Sequence, residues 1–377
     1  MHDPRQRAWL EVNPSAVEAN TKAIKQVLSK GCELMAVVKA DGYGHGAETV
    51  ARAALRGGAS DLGVATLDEG IQLRQASIDA PILLLGNLSS PEELSACLDW
   101  RLMPTLSTLK QAMLCQDLAE GTGSKFKVHL KVDTGMTRLG CDMKEVFSIV
   151  NTIQRFSNLN LKGVYSHLSM ADGERYGKSE RITSEQKRRF ESVLEMLPPM
   201  KKEFCVHIAN SAGTLRDPSL HYDMVRVGLA LYGHSPIKDL ELDLSLKPAL
   251  GVKARVAFIR DVPSGVGVSY GHTFVTQRSS RLAVVGIGYA DGVSRALSGQ
   301  ISALVNGKFL PQVGSITMDQ LMLDITDYPD LKVGTIVTML GQDGDQLISP
   351  KQWSDVSGSI PWEVLCGFKN RLPRIVI

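Results

Sequence analysis

Long apolar runs are missing from this sequence of 377 residues. None approaches the roughly 18 residues that a membrane-spanning helix needs. Residues 1–7 also lack the apolar core of a signal peptide. No basic block or arginine-rich arm is present, and 42 Lys and Arg residues face 40 Asp and Glu residues, which argues against nucleic acid as a partner. We therefore expect a soluble, cytoplasmic protein that binds neither membranes nor nucleic acids.

Cysteine is scarce and scattered through the chain. The six residues stand at positions 32, 97, 115, 141, 205 and 366, and no two of them form a CxxC pair. This spacing gives poor support to a disulfide framework or to a metal site. We expect thiols buried in the core of a protein from a reducing compartment, and no bound metal.

Short apolar runs recur over the first two-thirds of the chain, with amphipathic stretches typical of helices between them. The predicted strands are residues 34–38, 62–65, 82–85, 102–104, 127–130, 161–165, 204–208 and 224–227. The predicted helices include residues 46–55, 67–75, 91–98, 144–155 and 184–197. Eight is the number of alternating strands and helices that closes a (β/α)8 barrel. We predict a TIM-like barrel over residues 1–240, except that the extreme N-terminal strand is expected to pair with a second domain.

After about residue 240 the pattern changes to short segments rich in β-branched residues. Glycine turns such as Asn306-Gly307 and Asp343-Gly344 separate them, as in β hairpins. Strands are predicted at residues 252–259, 281–286, 301–305, 321–325 and 335–339. This pattern predicts a predominantly β domain over residues 241–377, with the boundary near residues 236–246.

Polar side chains follow the predicted barrel strands, at the rim where the active sites of such barrels lie. Lys39 ends the first strand and precedes a loop with three glycines, Gly42, Gly44 and Gly46. A lysine in such a place can form a Schiff base with an aldehyde such as pyridoxal phosphate. Other strand ends carry Lys131 and Asp133, Ser166 and His167, Asn210 and Ser211, and Arg226. Their convergence at one mouth predicts an active site.

These motifs, taken in order, resemble those of the bacterial alanine racemases, the fold-type III enzymes that depend on pyridoxal 5'-phosphate. The resemblance extends from Arg7 to Arg374, nearly the whole chain. It rests on AVVKADGYGHG at residues 36–46, HLKVDTGM and RLG within residues 129–140, VRVG at 225–228, GVSYG at 267–271, GYADG at 288–292, and Met318-Asp319. The order and spacing of these motifs make the assignment specific.

The resemblance implies a two-base racemase that interconverts L- and D-alanine and supplies D-alanine for peptidoglycan. Lys39 would bind the cofactor covalently and serve as the base on one face of the substrate Cα. Tyr270 would serve on the opposite face and would come from the partner subunit of a homodimer with shared active sites. Two bases are needed because one face must lose a proton while the other gains one.

The resemblance also implies how the cofactor is held. Tyr43, Ser211 and the backbone N–H groups of Gly228 and Leu229 would bind its phosphate. Arg226 would face the pyridine nitrogen and, with His167, would connect to Tyr270. Asn210 and Asn370 also fall at positions that match cofactor-binding residues of the family.

For the substrate, the resemblance places Arg138 at the carboxylate and at the phenolic oxygen of the cofactor. The backbone N–H of Met318 would contact the same carboxylate from the partner chain. The side chain of Met318 could equally be a core residue. Lys131 matches a lysine that is often carbamylated in the family, and the carbamate would orient Arg138.

Two positions depart from the family pattern. Asn370 stands where a tyrosine is usual, in Asn370-Arg371-Leu372-Pro373-Arg374. A smaller residue there leads us to hypothesise serine racemisation beside alanine racemisation, with alanine remaining strongly preferred as the alternative. Ser315 stands where many relatives have arginine, in an access corridor whose other members match Asp172, Tyr289 and Arg295.

Two other functions stay open at this point. A fold-type III decarboxylase of basic amino acids would have a Cys-Asp pair where this chain has Met318-Asp319. A non-catalytic barrel that binds pyridoxal phosphate would have no β domain and no residue matching Tyr270. Both alternatives are therefore less favoured than the racemase.

Overall fold

The computed structural model describes residues 5, 7–174, 177–197, 204–237 and 244–377. The chain divides into two compact units. The barrel unit comprises Ser15–Gly42 and Ala47–Lys247, and the β unit comprises Met1–Pro14, Tyr43–Gly46 and Pro248–Ile377. The domain boundary predicted between residues 240 and 241 lies outside the described residues.

The first strand of the chain, β1 (Ala8–Val12), lies in the β unit. Among its described residues, the barrel unit contains eight strands. They are β2 (Glu33–Val37), β3 (Asp61–Val64), β4 (Ile82–Asn87), β5 (Met103–Leu106), β6 (Phe126–Lys131), β7 (Leu159–Tyr165), β8 (Cys205–His207) and β9 (Met224–Val227). Each of the predicted strands of the barrel overlaps one of these, and the prediction for β9 is exact.

The helices between the strands also follow the predicted alternation. They are α1 (Pro14–Gln26), α3 (Ala47–Arg56), α4 (Leu67–Gln75), α5 (Pro91–Asp99), α6 (Leu109–Thr122), α7 (Val146–Arg155), α8 (Lys178–Met196) and α9 (Ser211–Arg216), with a short turn α2 (Lys39–Tyr43) after β2. Capping boxes at Thr66, Ser90 and Thr108 begin α4, α5 and α6, because each hydroxyl satisfies an N–H that the helix itself cannot. Within the described ranges, no helix is long and apolar enough to cross a membrane.

The barrel strands are parallel and pair in the order β8-β7-β6-β5-β4-β3-β2-β9. Backbone hydrogen bonds continue the circle between β8 and β9, from Asp223 N to Val206 O and from Arg226 N to Ala209 O, each 3.0 Å long. The strands are buried because helices cover one side and strand side chains fill the other. The predicted TIM-like barrel is confirmed.

The turn α2 is left-handed. Ala40, Asp41, Gly42 and Tyr43 have φ values of 53°, 52°, 61° and 49°. An L-residue in this conformation costs about 1–2 kcal/mol. Contacts outside the turn hold it, because Glu69 Oε1 accepts the N–H of Ala40 at 2.7 Å and Asp41 Oδ1 accepts that of Ala47 at 2.9 Å. Strained backbone is typical of functional segments, and this one follows Lys39 directly.

The β unit is built on a sheet of nine strands in the order β18-β17-β14-β15-β16-β13-β10-β1-β19. Besides β1, the strands of this unit are β10 (Leu250–Val262), β11 (Gly267–Val268), β12 (Phe274–Val275), β13 (Ser280–Val285), β14 (Ser302–Val305), β15 (Lys308–Val313), β16 (Leu321–Asp324), β17 (Ile336–Asp343), β18 (Gln346–Ile348) and β19 (Arg374–Val376). Strand β1 is antiparallel to β10 and parallel to β19. The predominantly β architecture is confirmed.

Two helices of the β unit were not predicted, α10 (Pro350–Ser357) and α11 (Pro361–Cys366). The first begins with a capping box between Ser349 and Gln352. Both have proline in their first turn, where the missing N–H has no cost. These start signals are visible in the sequence, but the helices are too short to show a clear apolar period.

A buried carboxylate fixes part of the β unit. Asp291 is fully buried and accepts two hydrogen bonds from Arg7, at 2.8 and 2.7 Å, and one from the N–H of Gly288 at 3.0 Å. Arg371 Nε lies 3.5 Å from the same carboxylate. The cluster therefore joins the N-terminal segment to the loop that carries Tyr289 and to the segment after Asn370.

Replacing Asp291 with alanine is expected to lower the free energy of unfolding by about 3 kcal/mol. Removal of the carboxylate leaves Arg7 with the carbonyl of Gly286 but without a charged partner. Because 38% of the Arg7 side chain is exposed, water compensates in part. Asp261→Ala is the matched control, since that carboxylate is 84% exposed and 3.9 Å from Arg281. Urea unfolding of both variants measures the difference, and equal midpoints would contradict the structural role of Asp291.

Candidate active site

The carboxyl ends of the barrel strands carry most of the polar residues expected at the site. Lys39 follows β2, Lys131 ends β6, and Ser166 and His167 follow β7. Asn210 and Ser211 follow β8, and Arg226 lies within β9. Because the strands are parallel, these ends share one rim of the barrel.

Arg226 is the centre of a buried hydrogen-bond network at this rim. Its Nη1 donates to Nδ1 of His207 at 2.9 Å, and its Nη2 lies 3.1 Å from Nδ1 of His167. Nη2 also donates to the carbonyls of Ser166 and Ile208, at 2.7 and 3.2 Å. Burial lowers the pKa of Arg226 to about 10, so the guanidinium remains a cation at neutral pH.

Both histidines are neutral partners of this arginine. Burial, followed by the charge of Arg226, holds the pKa of His167 and of His207 well below the usual range. Because arginine can only donate, each Nδ1 is an acceptor and each neutral ring carries its proton on Nε2. His167 therefore presents an N–H donor next to a permanent cation.

A second layer of polar side chains lies beneath Arg226. The ring of Tyr165 stacks on that of His207 with centroids 4.7 Å apart, and Cζ of Arg226 lies 4.9 Å from the Tyr165 centroid. The hydroxyl of Tyr165 is 2.7 Å from that of Thr105, which donates to Leu84 O. Lys131 Nζ is 5.5 Å from the same ring. The network thus positions the arginine from below.

Sequence reasoning missed Thr105, His129, Tyr165 and His207. The sequence does contain a usable signal. His129 and Lys131 are two residues apart on β6, and Gly163 and Tyr165 are two residues apart on β7. Alternate residues of a strand face the same side. Polar residues at such positions in a buried strand indicate a polar layer inside the barrel.

Lys131 is buried and lies among other cations. Burial lowers its pKa to about 8, with further contributions from Arg226, Arg138 and Lys39. Asp133 shapes the loop that follows, because its Oδ1 accepts the N–H groups of Gly135, Met136 and Thr137 at 2.9, 3.0 and 3.1 Å. This loop carries the exposed Arg138. Asp172, expected in the access corridor, is exposed on the barrel unit.

A cluster of N–H groups lies between the ends of β8 and β9. Asn210 caps α9 by accepting the N–H of Gly213 at 3.0 Å. The Ser211 hydroxyl accepts the N–H of Gly228 at 2.9 Å, and the N–H of Ala230 lies 3.5 Å away. Leu229 begins a short 3-10 turn at the same place. The Ser211 hydroxyl therefore takes up the N–H of Gly228 while its own proton stays available to a phosphate oxygen.

In the β unit, Tyr270 is 72% exposed. Two serines fix its loop, because the Ser315 hydroxyl donates to Tyr270 O at 2.8 Å and the Ser269 hydroxyl donates to Ser315 O at 2.7 Å. Ser315 itself is 5% exposed. It therefore supports the Tyr270 loop from inside the unit, a role that the sequence did not suggest.

Other predicted residues of the β unit lie on its surface. Tyr289 and Met318 are 42% and 52% exposed, so the alternative that the Met318 side chain is a core residue is wrong. Tyr270, Tyr289 and Arg295 line one cavity of about 950 Å³. Asn370 is exposed and Tyr43 is buried. Within the described residues, no group of His, Cys, Asp and Glu side chains could hold a metal.

Two sequence families match the chain. The family described as alanine racemase, N-terminal domain, matches residues 12–236, and the one described as alanine racemase, C-terminal domain, matches residues 249–376. Among curated proteins, an alanine racemase of Prochlorococcus marinus is 62% identical over 100% of this chain and 97% of its own length. One from a Nostoc species is 49% identical over 98% and 96%.

Solved structures agree with these matches. A crystal structure of alanine racemase from E. faecalis has a TM-score of 0.92, with 34% identity and 98% coverage of both chains. A structure of alanine racemase from Bartonella henselae, described with covalently bound pyridoxal phosphate, has a TM-score of 0.87 and 32% identity, and covers 98% of this chain and 99% of the other.

Proposed function

This chain belongs to the alanine racemase family, and we propose that it interconverts L- and D-alanine with pyridoxal 5'-phosphate as its cofactor. The observation that carries the proposal is the buried guanidinium of Arg226, held at the mouth of the barrel by His167, His207 and two carbonyls.

The donors present fit this cofactor. Arg226 retains an Nε–H and one Nη1–H for which the described residues provide no acceptor. These donors suit an unprotonated pyridine nitrogen, because arginine does not give up its proton. Tyr43, the Ser211 hydroxyl and the backbone N–H groups of Gly228 and Leu229 would hold the phosphate, and the Gly228 N–H would turn from Ser211 to a phosphate oxygen. Asn210 and Asn370 would complete the cofactor site. When bound, the cofactor supplies an electron sink that weakens the Cα–H bond of the substrate.

The chain supplies the two bases. Lys39 would hold the cofactor covalently and, when its amine is free, would move a proton on one face of Cα. Tyr270 would do so on the other face. An unperturbed tyrosine has a pKa near about 10, so it needs a donor beside its oxygen to act near neutral pH. His167, whose Nε2–H is fixed by Arg226, would be that donor.

Two groups would orient the substrate carboxylate. Arg138 is exposed at the mouth of the barrel and can make two parallel hydrogen bonds to a carboxylate. The backbone N–H of Met318 has no acceptor among the described residues and would bind the same group. Orientation of this kind fixes the Cα–H bond between the two bases.

We propose that the active sites are shared between the subunits of a homodimer. The exposure of Tyr270, Met318 and Tyr289 on the β unit supports this arrangement, because large apolar side chains that cluster on a surface mark interaction sites. Tyr270 and Met318 of each subunit would then complete the site of the partner.

Incubating the holoenzyme with L-alanine in deuterium oxide tests the proposed reaction. A racemase yields both enantiomers with deuterium at Cα. Release of carbon dioxide would indicate a decarboxylase, and the absence of any reaction a module that only binds the cofactor. We further propose that the reaction takes place in the cytoplasm and supplies D-alanine for peptidoglycan, so expression of the chain should relieve a bacterial requirement for D-alanine.

Carbamylation of Lys131 is expected to be pH-dependent. Only the neutral amine reacts with carbon dioxide, and the pKa of Lys131 is lowered to about 8. The carbamate should therefore increase as the pH rises through 8. It would replace a cation by an anion that attracts Arg138. Carbon-13 NMR with labelled bicarbonate should show a carbamate signal that is absent in Lys131→Arg and present in the control Lys125→Arg. A signal that persists in Lys131→Arg would contradict the assignment.

Replacing Asn370 with tyrosine is expected to lower the ratio of kcat/KM for serine to that for alanine. The change should be about tenfold, because one group of methylene size in a pocket contributes about 1–3 kcal/mol of discrimination. The tyrosine would crowd a hydroxymethyl group more than a methyl group. Kinetics with both amino acids measure the ratio, and Lys369→Ala serves as the neighbouring control. An unchanged ratio would show that Asn370 does not set specificity.

A further inference from the structure

A second polar cavity, of about 300 Å³, lies in the barrel unit at the end opposite the candidate active site. Its lining includes residues at the starts of strands, such as Asp61 of β3, Cys205 of β8 and Met224 of β9. Active sites of such barrels lie at the other end. None of the proposed catalytic groups touches this cavity.

His129 connects this cavity to Arg226. Its Nδ1 lies 3.1 Å from Nε2 of His207, which is the ring that accepts a hydrogen bond from Arg226. Since Nδ1 of His207 is an acceptor, Nε2 of His207 donates, and Nδ1 of His129 accepts. Burial lowers the pKa of His129 to about 3, so its ring is neutral and carries its proton on Nε2.

The Nε2–H of His129 is an unused donor. His129 is 3% exposed and lines the cavity, and the described part of the chain provides no acceptor for this nitrogen. This N–H is therefore available to an oxygen atom inside the cavity.

The charges that line the cavity favour an anion. Lys127 and Lys162 come from the adjacent strands β6 and β7, and no carboxylate in the described ranges forms an ion pair with either. Arg101 pairs with Asp79 at 3.2 Å. Arg74 uses its guanidinium on backbone carbonyls. Asp61 is the remaining carboxylate, so four cations face two acidic groups.

We propose that this cavity binds a small oxyanion with two or more negative charges. Its oxygens would accept the Nε2–H of His129 and pair with Lys127 and Lys162. Cys205 and Met224 give the remaining wall low polarity, which strengthens the electrostatic attraction. The hydrogen-bonded chain from His129 through His207 to Arg226 would then have a partner at each end. The anion would fix the orientation of the His129 ring, and the guanidinium would fix that of the His207 ring.

Inorganic phosphate is the probe for this site, and the holoenzyme is used so that the proposed cofactor site is filled. Phosphate at about tenfold its dissociation constant should raise the Tm by about 2 °C. It should also shift the Nε2 signal of His129 in nitrogen-15 spectra, assigned by its loss in His129→Gln. Malonate in place of phosphate distinguishes a site for dicarboxylates from one for tetrahedral oxyanions.

The double variant Lys127→Gln/Lys162→Gln should bind phosphate about tenfold more weakly. Lys110→Gln/Lys125→Gln is the matched control, because it removes the same charge from exposed lysines that do not line the cavity. Equal affinity in the two double variants, or phosphate binding without a shift of the His129 signal, would overturn the proposal. The measurement does not depend on racemase activity.

Discussion

The variant Lys39→Ala is expected to lower kcat/KM for both enantiomers of alanine by about 10⁴-fold or more. The substitution removes the amine that would hold the cofactor covalently and also the base on one face of Cα. Neither function has a substitute at the rim of the barrel, because Lys131 is buried at the end of another strand. Polarimetry and α-deuterium exchange measure the loss.

Lys125→Ala is the control for this substitution, since Lys125 is exposed and donates to the carbonyl of Ser157. It should retain the activity of the unmodified protein. A small added amine such as methylamine should restore part of the exchange in Lys39→Ala, because it can occupy the space of the missing side chain. If Lys39→Ala exchanged the α-proton at the normal rate, the assignment of Lys39 would be wrong.

The variant Tyr270→Phe is expected to lower racemisation by about 10³-fold while keeping one half-reaction. Lys39 can still exchange the α-proton of the enantiomer that it faces. The other enantiomer loses its base. Because the two enantiomers of alanine have equal free energies, kcat/KM must fall equally in both directions. Deuterium exchange without inversion, for one enantiomer only, would identify Tyr270 as the second base.

Tyr289→Phe is the control for Tyr270→Phe, because Tyr289 is another exposed tyrosine of the β unit. In Tyr289→Phe, both enantiomers of alanine should still exchange the α-proton and still be inverted. Loss of both exchange reactions in Tyr270→Phe would instead point to a role in binding the substrate.

Mixing the two inactive variants tests whether active sites are shared. A mixed dimer has one site with both substitutions and one with neither. If subunits of Lys39→Ala and Tyr270→Phe exchange freely, half of the dimers are mixed, and about a quarter of the normal activity should return. No recovery after exchange of subunits would mean that each subunit contains both of its bases.

The barrel could be predicted because most of its strands are short apolar segments, although β6 and β7 also carry polar residues. The predicted strand 224–227 and the predicted helix 67–75 have the same bounds as β9 and α4. Parallel strands are buried on both faces, so their composition alone distinguishes them from the helices between them. The helices α10 and α11 were not predicted, because six to eight residues contain too few turns to show a helical period of apolar residues.

The polar interior of the barrel could not be predicted in the same way. The residues His129, Tyr165 and His207 lie on three different strands, and only the register of the sheet brings them together. Ser315 illustrates the same limit, because its contact with Tyr270 joins residues 45 positions apart. The left-handed conformation of Ala40 and Asp41 depends on partners outside the turn, Glu69 as acceptor and Ala47 as donor, which no local preference indicates.

The left-handed turn after Lys39 has a consequence for the order of folding. Its L-residues favour a right-handed turn in the unfolded chain, and the local hydrogen bond from the N–H of Gly42 to the carbonyl of Val38 is a single contact. A further contact forms when Glu69, at the start of α4, is in place to accept the N–H of Ala40. We therefore expect Lys39 to reach its working position late, after β3 and α4 have joined the barrel. A nascent chain would not yet present this amine, so the cofactor would be captured by a barrel that is already assembled.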